Sequence, residues 1–368
     1  MKALMIAALL LSATAATAQT PSDHREWPKT DFSKRTVELS EIESGGPPKD
    51  GIPAIDRPRF VGTRVARAWL KPKEPVIALR MGRDVRAYPL QILMFHEIVN
   101  DTVNRMPVAV TFCPLCNASI VFDRRVGGRV LDFGTTGRLR LSDLVMYDRQ
   151  TESWWQQFTG KGIVGHYAGT ELMRVASEII AFEDFEAAHP AGLVLSRETG
   201  HARPYGRNPY AGYDRIDQSP FLLSTKADER LPPMERVLSV SAGGKHRLYP
   251  LTLLERHPVA NRSLGGMPYV VFAKRGMASP LDRERIEEGR QIPAATAFQR
   301  TLDSRVLNFE LRDGRYVDTE TGSQWNILGE AVAGPLKGRR LPAVDSGVHF
   351  AFAWLAFNPD SDIVRALP

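Results

Sequence analysis

The chain has 368 residues, of which 43% are apolar and 24% charged, with a formal net charge of +6. That length and balance fit a globular protein with core enough for two domains, and exclude a disordered or fibrous chain. The positive excess is spread as single arginines with no basic block or aromatic-interleaved patch, which excludes nucleic-acid binding as a reading.

The N-terminus reads as an export signal over residues 1–18. Lys2 opens it, Ala3 to Leu11 form an apolar core, and Ala16-Thr17-Ala18 is a small-residue cleavage site. The mature chain is expected to start at Gln19 in a periplasmic or secreted setting, with no lipid anchor because no cysteine follows the site. The apolar core is far shorter than the roughly 20 residues of a membrane span, and no later run reaches that length. Residues 19–70 read as an N-terminal arm, punctuated by Gly45-Gly-Pro-Pro-Lys-Asp-Gly-Ile-Pro53.

From Val76 the periodicity sharpens. Val76 to Met81 and Val85 to Tyr88 bracket a turn, and Pro89 opens Leu90 to Val99, which suits a short helix with proline at its start. Next comes Val108-Ala-Val-Thr-Phe-Cys-Pro-Leu-Cys-Asn-Ala-Ser-Ile-Val-Phe122. Both cysteines of the chain, Cys113 and Cys116, lie in it, flanked by β-branched runs that predict strand, tight turn, strand. Phe122 to Arg125 and Arg129 to Phe133 predict a further hairpin, Leu144 to Tyr147 a strand, and Ala181 to Ala188 a short acidic helix. Residues 201–232 read as an ordered linker.

The pattern then returns. Tyr249-Pro-Leu251 repeats Tyr88-Pro-Leu90, His257 and Asn261 repeat His96 and Asn100, and Arg305-Val-Leu-Asn-Phe309 repeats Arg129-Val-Leu-Asp-Phe133. Asp318, Thr321, Ser323 and Trp325 repeat Asp148, Thr151, Ser153 and Trp155. The expected fold is therefore α+β and β-rich, a tandem duplication of one β-hairpin-rich unit with short helices. The first repeat would span 71–200 and the second, lacking the cysteines, 233–368.

Such a repeat acts as an internal control, because residues kept in both halves point to structure and those kept in one point to chemistry. Cys113 faces Lys274 and Cys116 faces Met277. Glu97, Asp101, Trp154 and His166 are also unmatched, and with the cysteines they form the candidate catalytic set. His96 invites a metal-ligand role beside Cys113 and Cys116, yet its twin His257 persists where no thiol exists. It reads equally as a histidine hydrogen-bonded at a helix end. The Asp148 loop reads as an Asx-type turn pinned by a buried indole.

Thr-Phe-Cys-Pro-Leu-Cys-Asn, Met-Tyr-Asp-Arg-Gln-Thr-Glu-Ser-Trp-Trp and Tyr-Gly-Arg-Asn-Pro-Tyr resemble motifs of the prokaryotic family called domain of unknown function 3179, over roughly residues 75–365. Asn117 stands where that resemblance implies a glycine. The resemblance implies no activity.

Three functions remain open. Thiol–disulfide redox chemistry leads, since a Cys-x-x-Cys pair needs no further ligand, and it expects a reducible disulfide without stoichiometric metal. A strand in place of a helix after Cys116 removes the helix-dipole contribution to thiol acidity, so Arg124, Arg125 or a histidine would have to supply positive charge. Its partner would be a small-molecule or protein thiol. The second reading is copper or zinc bound by the same cysteines; c-type haem is disfavoured because Asn117 replaces the attachment histidine. The third is a structural or interaction protein with a short structural disulfide. No other cofactor is implied.

Overall fold

A computed structural model describes residues 25–367, so the export signal expected over residues 1–18 lies outside the described residues. Strand accounts for 43% and helix for 9%, arranged in several sheets. The short helices fall where proline ends a strand: Leu90–Leu93 follows Pro89, and Leu251–Leu254 follows Pro250. Proline supplies a fixed φ and lacks the N–H that a helix N-terminus would leave unpaired.

Three sheets surround the cysteines. Ile98–Val103, Met106–Cys113, Ala118–Asp123 and Arg174–Val175 form one antiparallel sheet. A second is built on the long hairpin Phe133–Arg140/Asp143–Asp148, flanked by Ile42–Ser44, Trp154–Gln156 and Lys161–Val164. The third pairs Pro75–Met81 with Asp84–Pro89 and adds Glu178–Ala181, Leu193–Leu195 and Phe60–Gly62, with Leu193–Leu195 parallel to Asp84–Pro89.

The later residues carry similar pairings. Arg236–Ala242 and Lys245–Pro250 form a hairpin with Asp362–Ile363 parallel to its second strand, and Val259–Leu264, Met267–Ala278 and Gln291–Gln299 form a meander. One local network recurs closely. Asp148 Oδ1 accepts from the Thr151 amide at 2.7 Å and Asp148 Oδ2 from the Trp155 indole at 3.0 Å; Asp318, Thr321 and Trp325 make the same bonds at 2.7 and 2.9 Å. Both are turns locked by an indole, as the residue pattern suggested.

The largest apolar core contains Cys113 and Cys116 together with Phe350, Phe352 and Trp354 from near the C-terminus, so distant segments close over the thiols. The Phe350 amide donates to the Cys116 carbonyl at 3.0 Å. The arm is held against the long hairpin by a close approach at Gly137. With φ at +71°, a Cβ there would stand 1.9 Å from the Pro47 carbonyl oxygen, so only glycine admits the arm. Among the described residues no helix is long and apolar enough to cross a membrane.

Candidate thiol and metal centre

The Met106–Cys113 and Ala118–Asp123 strands form the hairpin expected around the cysteines, with Cys113 paired to Ala118. Asn117 closes the turn at φ +49°, a left-handed conformation that asparagine tolerates better than most residues, and its amide donates to the Pro114 carbonyl at 3.2 Å. The turn is not an exposed tip. Cys113 is 1% exposed and Cys116 fully buried, and both are free thiols.

The third member of the site comes from the neighbouring sheet. Asp143, fully buried, starts the second strand of the long hairpin, and its carboxylate oxygen lies within 4.8 Å of both cysteine sulfurs. Its Oδ2 accepts from Gln156 Nε2 at 2.6 Å and from the Phe158 amide at 2.9 Å. Its Oδ1 is buried with no N–H or O–H donor, and only the Cys113 and Cys116 thiols stand beside the carboxyl group. An orphaned buried carboxylate oxygen is costly and calls for an explanation. Among the described residues this is the only cluster of three His, Cys, Asp or Glu side chains with ligand atoms so close together.

Glu97 lies beside this trio. It sits at φ +56°, held there by its amide donating to Leu93 at 2.7 Å and its carbonyl accepting from Phe112 at 2.8 Å. A non-glycine residue in that conformation costs of order 1–3 kcal/mol, and such strain gathers at functional sites. Among the described residues its carboxyl group makes no hydrogen bond. Burial, with a smaller push from Asp143, raises it to about 8. Burial likewise raises Asp143 to about 7 and lifts both thiols above their ordinary range. The charged neighbours acting on the thiols are Asp143, Glu97 and each other, all of one sign. The cations expected to assist are engaged elsewhere: Arg124 bonds Asp132 and the Leu131 carbonyl, and Arg125 bonds Asp123.

A cavity of about 670 Å³ opens on this side, with Glu97, Leu115, Leu144, Tyr210 and Tyr213 on its wall. Leu115 separates the two cysteines and Leu144 follows Asp143, so chain neighbours of the trio line the cavity while the trio itself is buried behind its wall.

The structure thus brings together Cys113, Cys116 and Glu97 of the expected residues. Asp101 instead accepts from Arg86 Nη1 at 2.6 Å and from the Tyr88 hydroxyl at 2.6 Å. His166 is exposed against Tyr167. Trp154 is buried away from the cavity, packed edge-on to Trp27 and Phe32 beneath the arm, because adjacent strand residues face opposite ways and Trp155 takes the thiol-side core. His96 has both ring nitrogens occupied, by the Pro53 carbonyl at 2.7 Å and the Tyr205 hydroxyl at 2.6 Å, so the ligand place beside the cysteines falls to Asp143.

Asp143 and the two tyrosines escaped sequence reasoning. One signal was present for Asp143. The long hairpin spans Phe133 to Asp148, whereas its counterpart spans only Phe309 to Asp318, and the extra residues carry Asp143.

The family model described as "Protein of unknown function (DUF3179)" matches residues 49–361. The chain belongs to this family. No curated protein and no solved structure matches it. In this DUF3179 protein the match spans the arm's second half, the thiol hairpin, Asp143 and the linker tyrosines, so every part of the site falls inside it.

Proposed function

We propose that Cys113, Cys116 and Asp143 are the protein ligands of a zinc-class metal centre whose remaining position faces the cavity and Glu97. The buried carboxyl group of Asp143, whose Oδ1 has no N–H or O–H donor and only the two thiols for neighbours, carries this reading. The sulfurs are 3.8 Å apart. Two thiolates bound at about 2.3 Å to a tetrahedral ion stand about 3.8 Å from each other, whereas linear copper(I) would spread them to about 4.6 Å. Zinc accepts sulfur and carboxylate together, and three protein ligands with one open position is its catalytic pattern. Charge supports the same choice. Burial disfavours the charged form of all three acids, and a divalent ion would supply the missing positive charge.

The test is to purify the full-length chain under reducing conditions, add zinc, and measure metal content and chelator-competition affinity. One tightly held equivalent, lost in Cys116→Ser and Asp143→Asn, is expected. Equal zinc uptake by wild type and both variants would sink the proposal.

Thiol–disulfide exchange is the second reading, favoured by two free sulfurs this close. It is less well served, because burial and like-charged neighbours keep the thiolate fraction small. We further propose that the two similar halves arose by tandem duplication, with the cysteine-free half serving as scaffold; the matching Asp148 and Asp318 networks support this. The signal-like N-terminus supports a periplasmic or secreted location, where zinc is to be acquired after export.

A further inference from the structure

We infer that Arg236, a buried arginine of the later half, is a positioning residue for the proposed metal centre. It holds the exit of the thiol turn, Cys116 and Asn117, so that Cys116 keeps its place beside Cys113 and Asp143. This deepens the metal reading and rests on it for the purpose of the hold.

Reach comes first. Arg236 opens the strand Arg236–Ala242 and is 5% exposed. Its Nε donates to Asn117 Oδ1 at 3.4 Å, and its guanidinium lies over the Phe350 ring, 5.1 Å from the centre. The Phe350 amide in turn donates to the Cys116 carbonyl at 3.0 Å. One side chain thus reaches the turn's exit twice, directly at Asn117 and through Phe350 at Cys116. Asn117 stands where the family resemblance implies a glycine, and the side chain it adds is the one Arg236 meets. Ligands of a metal centre must be held to within about 0.5 Å of their working geometry, which a lone turn does not ensure.

Arg236 is itself anchored. Its Nη2 donates to Ser279 Oγ at 2.9 Å and lies 2.9 Å from Asp214 Oδ2, and the Ser279 hydroxyl donates to the same carboxylate. Arg290 Nη1 donates to Asp214 Oδ1 at 2.8 Å and also pairs with Asp282. Asp214 and Ser279 are both buried. A buried ion pair adds little net stability over well-packed apolar residues, so this one is better explained by the direction it fixes. The planar arginine fork meets Asp214 and Ser279 at one end and Asn117 at its Nε edge. The single nitrogen of a lysine cannot do both.

The pairing of strands adds a separate observation. Val237 pairs with Pro250 as Val76 pairs with Pro89, so Arg236, one residue earlier, takes the place of Pro75. Proline offers no side-chain donor. Under the proposed duplication the arginine is kept in one half only, and it reaches across to the half that holds the thiols.

The test uses the full-length protein, reduced, with cobalt(II) in place of zinc because its colour reports thiolate ligation and geometry. Wild type should bind one cobalt with a tetrahedral, two-thiolate spectrum. Asn117→Gly suits the left-handed turn and keeps the ion pair, so its melting temperature should hold. It should nonetheless bind cobalt at least threefold more weakly, with weaker d–d bands. Arg236→Met should lose at least tenfold, and Arg236→Lys should recover melting temperature without recovering cobalt affinity. In metal-free protein, thiol labelling should be at least threefold faster at Cys116 in Asn117→Gly and Arg236→Met. It should be unchanged at Cys113, which the strand ladder holds. Cobalt affinity and Cys116 labelling both unchanged in Asn117→Gly, or affinity restored along with stability by Arg236→Lys, would overturn the positioning role. Faster Cys116 labelling in these variants of a protein that binds no cobalt would uphold the hold on the turn and overturn the metal reading.

Discussion

Cys116 and Ser142, 26 residues apart in sequence, are joined by a hydrogen bond from the thiol to the Ser142 carbonyl at 3.5 Å. That contact seats the turn of one hairpin on the turn of another, and places Asp143, the next residue, over the sulfurs. The trio of Cys113, Cys116 and Asp143 is therefore a product of two hairpin ends meeting, each supplied by a different sheet.

Asp143→Asn should lower zinc affinity by at least about a hundredfold, since even outer-shell changes at zinc sites cost ten- to a hundredfold. Asparagine keeps the size and can still accept from Gln156 and Phe158, so the fold should persist. Chelator competition alongside a thermal melt separates the two effects. Unchanged affinity would remove Asp143 from the ligand set.

The metal-free protein should lose stability as pH rises from about 6.5 to 8. Glu97 and Asp143 have folded-state values raised to about 8 and about 7, so each contributes stability below its unfolded value that is lost as pH rises through the folded one. Buried His96 and His349 are lowered to about 4 and about 3, so their contribution changes only below the ordinary histidine range. Each carboxyl still protonated in the fold adds at most about 1.4 kcal/mol per pH unit to the slope. Denaturant melts across this window should show the fall, and Glu97→Gln should flatten it. A slope identical in wild type and Glu97→Gln would contradict the burial argument.

Cys113→Ser should abolish stoichiometric zinc, whereas Lys274→Ala should leave it intact. Lys274 is the residue matched to Cys113 under the proposed duplication, and it pairs with Asp184 on a half-exposed surface, contributing only ~0–1 kcal/mol. Metal analysis of the two purified variants decides it, and equal loss in both would defeat the scaffold assignment.

Asp148→Ala and Asp318→Ala should destabilise the fold by similar amounts, about 1–3 kcal/mol each, because each strands a buried indole N–H. Zinc affinity should change little in either. A large affinity loss confined to Asp148→Ala would give that residue a part in the site.

What the sequence determined by itself was local. β-branched runs around Cys-Pro-Leu-Cys specify a hairpin, Pro89 and Pro250 specify where short helices start, and the Asp-x-x-Thr-x-Ser-x-Trp pattern specifies a turn closed by its own indole. Each depends on hydrogen bonds and alternation within a few residues, which spacing encodes directly. The tertiary structure alone decided the rest. It set Trp155 toward the thiols and Trp154 toward the arm, bound Asp101 to Arg86, occupied both nitrogens of His96, and laid Tyr210 and Tyr213 over a cavity. Above all it carried Asp143 to Cys116. That meeting depends on how two twisted sheets pack, a relationship between distant segments that no local spacing records.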